Sequence, residues 1–235
     1  VPPSASISTI GNVYRFDTIS LDGSGSTDPD NAPAPLTYYW AITEIPTDSD
    51  LDMNMLDNVT GDSASIVPDV SGEYVFSLTV DDGLFTDSTE VTVTVMNRAP
   101  VAEAGTDGEF ATGSVVTLDG SNSFDPEGDT LTYSWSFISK PSGSSAGIDS
   151  SASVITSFTA DIEGTYVIAL VVNDGETDSV ADTVTLTVVN ENVAPVALSS
   201  LPLEVLVGET IVLYGNDSYD PDNGPSPLSY AWSFG

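Results

Sequence analysis

The chain has 235 residues, 36 of them acidic and three basic, for a formal charge of −33, and it contains no cysteine and no histidine. That composition excludes disulfides, thiol chemistry, Ser-His and Cys-His catalysis and the usual zinc sites. It makes nucleic acid and anionic membrane surfaces poor partners, while a hydrophobic fraction of 40% separates the chain from disordered acidic tails. The three cations, Arg15, Arg98 and Lys140, can pair with few of the carboxylates. The remainder must face water or an external cation. No apolar run approaches the ~18 residues of a membrane span.

In chain order, the first long motif is "LDGSGSTDPDNAPAPLTYYW" at 21–40, an acidic turn followed by an aromatic strand ending at Trp40. "SGEYVFSLTVDDG" at 71–83 alternates apolar and polar residues, the period of a half-buried strand, and closes on two aspartates and a glycine. The phrase Asn97-Arg98-Ala99-Pro100-Val101-Ala102 then starts the cycle again. "SVVTLDG", "LDGSNSFDPEGDTLTYSW" (118–135), "SVITSFTA", "EGTYVIALVVNDG" (163–175) and "DTVTLTVVN" follow as short strands bounded by Gly, Asp, Asn and Pro. Asn192-Val193-Ala194-Pro195-Val196-Ala197 opens a third cycle, which reaches "LYGNDSYDPDNGPSPLSYAW" at 213–232. Trp40, Trp135 and Trp232 mark the repeat, about 95 residues apart.

Each repeat reads as all-β, about seven short strands with a tryptophan in the third, which is the pattern of an immunoglobulin-like sandwich. Tyr74 and Tyr166 stand where a tyrosine corner belongs, and Phe76 and Ile168 fill the slots that disulfide cysteines would take. The tryptophans are expected in the core. Tyr39 and Tyr133 flank them and are expected to face outward, where they could contact a glycan. The expected division is 1–97 and 98–191 as two complete sandwiches and 192–235 as the N-terminal part of a third, beads on a rod cut from a longer protein.

The ordered run "NRAPVAEAG…LDGSNSFDPEGDTLTYSWSF…GTYVIALVVNDG…TVTLTVVN" resembles a PKD (polycystic kidney disease) domain. The middle, "KPSGSSAGI…TADIEGTY", is similar to the subtype found in tandem in bacterial surface proteins, secreted enzymes and some animal receptors. The resemblance implies tandem β-sandwiches used as spacers or as binding modules. Some PKD domains hold calcium with a linker Asn and loop carboxylates. In this sequence that implies a Ca²⁺ site gathering Asn97, Asp125, Glu127, Asp129, Asn173 and Asp174 at one end of the second unit, since Ca²⁺ takes six to eight hard oxygen donors. The first unit offers Asp28, Asp30, Asp81 and Asp82; the third offers Asn192, Asp220 and Asp222, without a second loop. No neighbouring Lys or Arg within these loops neutralises them. A plainer reading stands beside this one: Asp-Pro starts turns, Asp caps its own backbone, and Gly128 supplies a positive φ.

The functional expectation is a non-catalytic extracellular structural or adhesive array, a stalk or fibre segment stiffened by Ca²⁺ at the interdomain ends. Its partners would be neighbouring domains of the same longer protein. Two alternatives remain open: an accessory module binding polysaccharide or protein beside a secreted enzyme, and a filament subunit in which an identical chain completes the partial third domain by strand addition.

Overall fold

The computed structural model describes residues 1–30, 35–52, 54–190, 193–199, 204, 206–221 and 227–233. Asn192 and Asp222, two of the expected ligands, lie outside the described residues. The fold is all-β, and among the described residues no helix is long and apolar enough to cross a membrane.

The first unit contains β1 (Val13–Tyr14), β2 (Ile19–Asp22), β3 (Thr37–Glu44), β4 (Ser63–Ile66), β5 (Gly72–Asp81) and β6 (Thr86–Met96). The second repeats them as β7 (Gly108–Ala111), β8 (Val115–Asp119), β9 (Thr132–Ser139), β10 (Ile155–Thr159), β11 (Gly164–Asn173) and β12 (Asp182–Val189). One sheet of each unit has four strands, in the orders β1-β6-β5-β3 and β7-β12-β11-β9, and the other is the antiparallel pair β2-β4 or β10-β8. β1 joins β6 in parallel and β7 joins β12 likewise. The seventh element of each unit is reduced to a single bridge, Ser4 to Thr27 and Val101 to Phe124. The third repeat forms the same bridge between Val196 and Tyr219.

Alternation along the central strands builds the core. In β5, Tyr74, Phe76, Leu78 and Val80 all point inward; in β11 the same places hold Tyr166, Ile168, Leu170 and Val172, and all eight are fully buried. Phe76 and Ile168 thus close each sandwich by packing in the absence of a disulfide. Trp40 and Trp135 are buried as expected, and each indole N–H donates to a backbone carbonyl, of Gly61 at 3.1 Å and Ser153 at 3.0 Å. The glycine of the "LDG" turn lies under that ring. A Cβ on Gly23 would come within 2.6 Å of Leu78 Cδ2 and 2.9 Å of Trp40 Cζ2, and one on Gly120 within 2.9 Å of Leu170 Cδ2. Trp232 differs: it is 45% exposed, and among the described residues no partner equivalent to Leu78 or Leu170 lies beside Gly215. Tyr39 faces outward, but Tyr133 is half-buried against the second core, contrary to expectation. It sits one position further along its strand from the tryptophan than Tyr39 does, and strand alternation turns it to the other face.

Both tyrosine corners are made. Tyr74 Oη donates to Val70 O at 3.1 Å, and Tyr166 Oη to Ile162 O at 2.9 Å. Each hydroxyl also meets a carboxylate, Asp69 or Asp161. The Ser144 hydroxyl lowers the Asp161 pKa most; burial opposes it, and the amide and hydroxyl of Ser145 and the Tyr166 hydroxyl add to it. Around Asp69, burial is outweighed by Ser49, the Asp50 amide and Tyr74. A carboxylate with a depressed folded pKa stabilises the fold above its unfolded pKa, and that contribution disappears as pH falls through the folded value. The melting temperature is therefore expected to be flat above about pH 5 and to fall steeply at more acid pH. Asp161→Asn should lower the neutral-pH melting temperature and flatten the acid slope. An unchanged acid slope in that variant would refute the assignment.

Candidate cation site at the domain joint

The "LDGSxSxDP" motif builds one pole of each unit residue by residue. Asp22 and Asp119 accept from the amides of Ser24 and Ser121 at 2.9 Å, closing the turn. The next serine is a peg: Ser26, Ser123 and Ser218 Oγ accept from the amides of Ser6, Glu103 and Leu198 at 3.0, 3.0 and 2.9 Å. That bond, with the single bridge beside it, pins the start of each repeat to the acidic loop. The equivalent aspartates Asp28, Asp125 and Asp220 then follow directly.

Within the second unit, carboxylate oxygens of Asp125, Glu127 and Asp129 lie within 4.8 Å of one another. Asp125 Oδ1 accepts from the amides of Glu127 and Asp129 at 2.8 and 3.1 Å, while its Oδ2 is buried without a partner. Asp174, its neighbour from the second loop, uses both oxygens. Its Oδ1 accepts from the amides of Glu176 and Thr177, both at 2.7 Å, and its Oδ2 from Asn97 Nδ2 at 2.7 Å. Burial raises the Asp174 pKa, but the Thr177 amide, Asn97 and the Glu176 amide together hold it below the usual value. Asn97 Oδ1 is in turn buried without a partner. The first unit repeats the pattern. Asp28 Oδ1 accepts from the Asp30 amide at 3.3 Å, Asp82 Oδ1 from the amides of Leu84 and Phe85 at 2.7 and 2.8 Å, and Asp28 Oδ2 and Asp82 Oδ2 are both buried without partners. Asp30 accepts from the Val1 ammonium at 2.5 Å, the place where Glu127 accepts from the Arg98 amide at 3.0 Å.

Two expected ligands go elsewhere. Asn173 caps its hairpin turn, accepting from the Gly175 amide at 2.8 Å and donating to Asp178 at 2.9 Å. Asp81 does likewise with the Gly83 amide at 2.7 Å. They adjoin Asp174 and Asp82, and neighbours on a strand point to opposite faces.

The expectation that no basic residue neutralises the cluster fails at the second unit. Arg15, buried to 8% exposure, contacts Asp129 and stands 3.7 Å from Glu127 Oε2 and 3.8 Å from Glu176 Oε1. Arg98 reaches Glu127 Oε1 at 3.1 Å and Asp17 Oδ2 at 2.6 Å. Neither arginine belongs to the acidic loops. Arg15 comes from the β1–β2 turn of the preceding unit, and its amide bond to Met96 O (3.0 Å) holds that turn where the chain leaves β6. The signal available in the sequence was scarcity: two of three cations sit at this joint, one of them adjacent to Asn97.

The buried oxygens without partners are hard donors. A carboxylate oxygen and an amide oxygen, both desolvated and both without a donor, are costly unless something positive faces them. The donor set is all oxygen, as Ca²⁺ requires.

Fold and site together define a tandem array of immunoglobulin-like sandwiches with an acidic pole at the start of each unit. Residues 12–95 and 104–188 both match the family described as K319L-like, PKD domain, and the chain belongs to that family. It is 35% identical over 170 residues to the human dyslexia-associated protein KIAA0319, covering 68% of this chain and 15% of that protein. It is 30% identical over 243 residues to the mouse KIAA0319-like protein, covering 98% of this chain and 22% of that one. Chitinase A of Pseudoalteromonas piscicida is 31% identical over 140 residues, covering 57% of this chain and 16% of the chitinase. The chain therefore spans under a quarter of the length of these relatives.

Proposed function

We propose that this chain is a non-catalytic segment of an extracellular structural or adhesive array, with units at 1–97, 98–191 and 192–235, whose acidic poles bind Ca²⁺. The observation that carries the reading is the orphaned buried oxygen that recurs at one place in both units, Asp28 Oδ2 and Asp125 Oδ2, accompanied by a second orphan, Asp82 Oδ2 in the first unit and Asn97 Oδ1 in the second. A turn cap needs only one carboxylate oxygen, and here the second is also buried. In the second unit Asn97, Asp125 and Asp174 would hold the ion and fix the linker to the domain it enters.

A ligand that binds only the folded state raises its stability by mass action. Extracellular modules bind Ca²⁺ at roughly 10⁻⁴ to 10⁻³ M, so saturating millimolar Ca²⁺ should raise the melting temperature relative to EDTA by several degrees. Asp82→Asn should abolish the part of the shift that belongs to the first unit. Identical melting in EDTA and Ca²⁺ would sink the reading.

The similarity to a chitinase supports a second reading, an accessory module beside a secreted enzyme. Tyr39, exposed at 59% on β3, is the residue to test. Retention of the chain on an insoluble polysaccharide, lost in Tyr39→Ala, would favour that reading over a passive spacer; no retention by the unmodified chain would remove it.

A further inference from the structure

We infer that the joint between the first and second units is closed by an arginine clasp built into the chain, and that the following joint lacks one. The inference does not depend on Ca²⁺. The clasp has two arms. Arg15, carried by the first unit, enters the acidic pole of the second and meets Asp129, Glu127 and Glu176. Arg98, carried by the linker, joins Glu127 on one side to Asp17 of the first unit on the other. Glu127 is the keystone: its side chain is 1% exposed, and it accepts from the Arg98 amide as well as facing both guanidiniums. Ser71 Oγ of the first unit donates to Glu176 Oε2 of the second at 2.5 Å, and Arg98 lies 4.4 Å from the centre of the Tyr14 ring. A planar guanidinium with five fixed donors suits this bridging, whereas an ammonium offers a point charge.

The turn that presents Arg15 is itself unusual. Phe16 has φ of +63°, where the equivalent residues of the second and third repeats are Gly113 and Gly208 at +87° and +94°. A bulky residue in the left-handed region is strained. Its amide donates to Pro68 O at 2.9 Å, and Arg15 lies 5.7 Å from the centre of its ring, so the strained residue backs the arginine that enters the joint.

Nothing equivalent exists one repeat later. The place of Arg15 is taken by Thr112 and that of Arg98 by Val193, and no Lys or Arg occurs anywhere after Lys140. Lys140 is committed to Ala146 O at 2.6 Å. The joint after the second unit therefore has no arginine from which to build such a clasp. Successive joints of the array differ in this respect: the first carries an arginine clasp and the second has no arginine to form one.

The absence of cysteine makes a direct test available. Spin labels on Glu90→Cys of β6 and Thr187→Cys of β12, both exposed positions, report the separation of the two units in the full chain. In EDTA, the otherwise unmodified chain should give a narrow distance distribution that millimolar Ca²⁺ does not narrow further. Relative motion is the default for adjoining domains with a small polar interface, so Arg15→Ala with Arg98→Ala should broaden the distribution by about twofold or more. Asp17→Asn with Asp129→Asn, which leaves both arginines and both cores intact, should broaden it by less. A broad distribution in EDTA before any arginine is changed, or a narrow one in both variant pairs, would overturn the clasp. Calorimetric Ca²⁺ binding measured on the same samples reports separately on the metal reading.

Discussion

Trp135→Ala is expected to unfold the second unit at ambient temperature or bring it close to unfolding, while the first unit melts as before. The indole is 3% exposed, contacts the Gly120 turn, and donates to Ser153 O. Removing a buried aromatic of this size costs about 3–5 kcal/mol, and the orphaned Ser153 carbonyl adds to the loss. A domain of this length holds about 5–15 kcal/mol in total. Calorimetry of the full chain should show one transition near its original temperature and one lowered by at least about 10 °C. Trp40→Ala should give the mirror image, with the first unit lowered. Shifts of a degree or two in either variant would mean that these rings are not core elements.

The second large effect belongs to Glu127. Replacing it with Ala leaves Arg15, itself 8% exposed, with Asp129 and Glu176, and Arg98 with Asp17, but removes the carboxylate that the two guanidiniums share. Breaking a buried pair from one side costs about 3–5 kcal/mol when the remaining charge is left unpaired; here each arginine keeps another carboxylate, so the loss is expected to fall below that range. The loss should appear as a lower melting temperature together with uncoupling of the two units, since Glu127 joins both arginine arms. Glu127→Gln keeps the shape and the acceptor oxygen and should cost less. Adding Arg15→Ala to Glu127→Ala should cost less than the sum of the two single changes, because either one already removes the contact between them. Strict additivity of the two changes would show that they do not interact.

Much of this architecture was legible in the residues. The period-two alternation of "EYVFSLTV" and "TYVIALVV" placed the inward strands, and the Gly-x-Tyr spacing located both tyrosine corners. The repeat of "DPxx" with "VxDG" pointed to one acidic pole, and the structure joins Asn97 to Asp174 across 77 residues. Two features were lost for identifiable reasons. Asn173 and Asp81 were grouped with their neighbours although adjacent strand residues face opposite ways. The role of Arg15 leaves no local signal, because it reaches Asp129 from 114 residues away and from a different unit. Repeat logic describes what a unit does for itself, and the two arginines occupy places where the repeats differ.

That difference bears on how an array of nearly identical beads acquires a shape. The acidic motif is common to the repeats, but only the pole of the second unit is entered by arginines. The arginines are confined to one joint, so stiffness can be assigned to single positions along the rod without altering the sandwich.

The most direct test of the central claim, that the acidic poles are cation sites and not decorated turns, is a calorimetric Ca²⁺ titration of the full chain at physiological ionic strength. Saturable binding is expected with dissociation constants of about 10⁻⁴ to 10⁻³ M, weaker for Mg²⁺, with one site lost in Asp82→Asn and a different one in Asp125→Asn. No saturable heat at millimolar Ca²⁺, or the same isotherm in both variants, would contradict it.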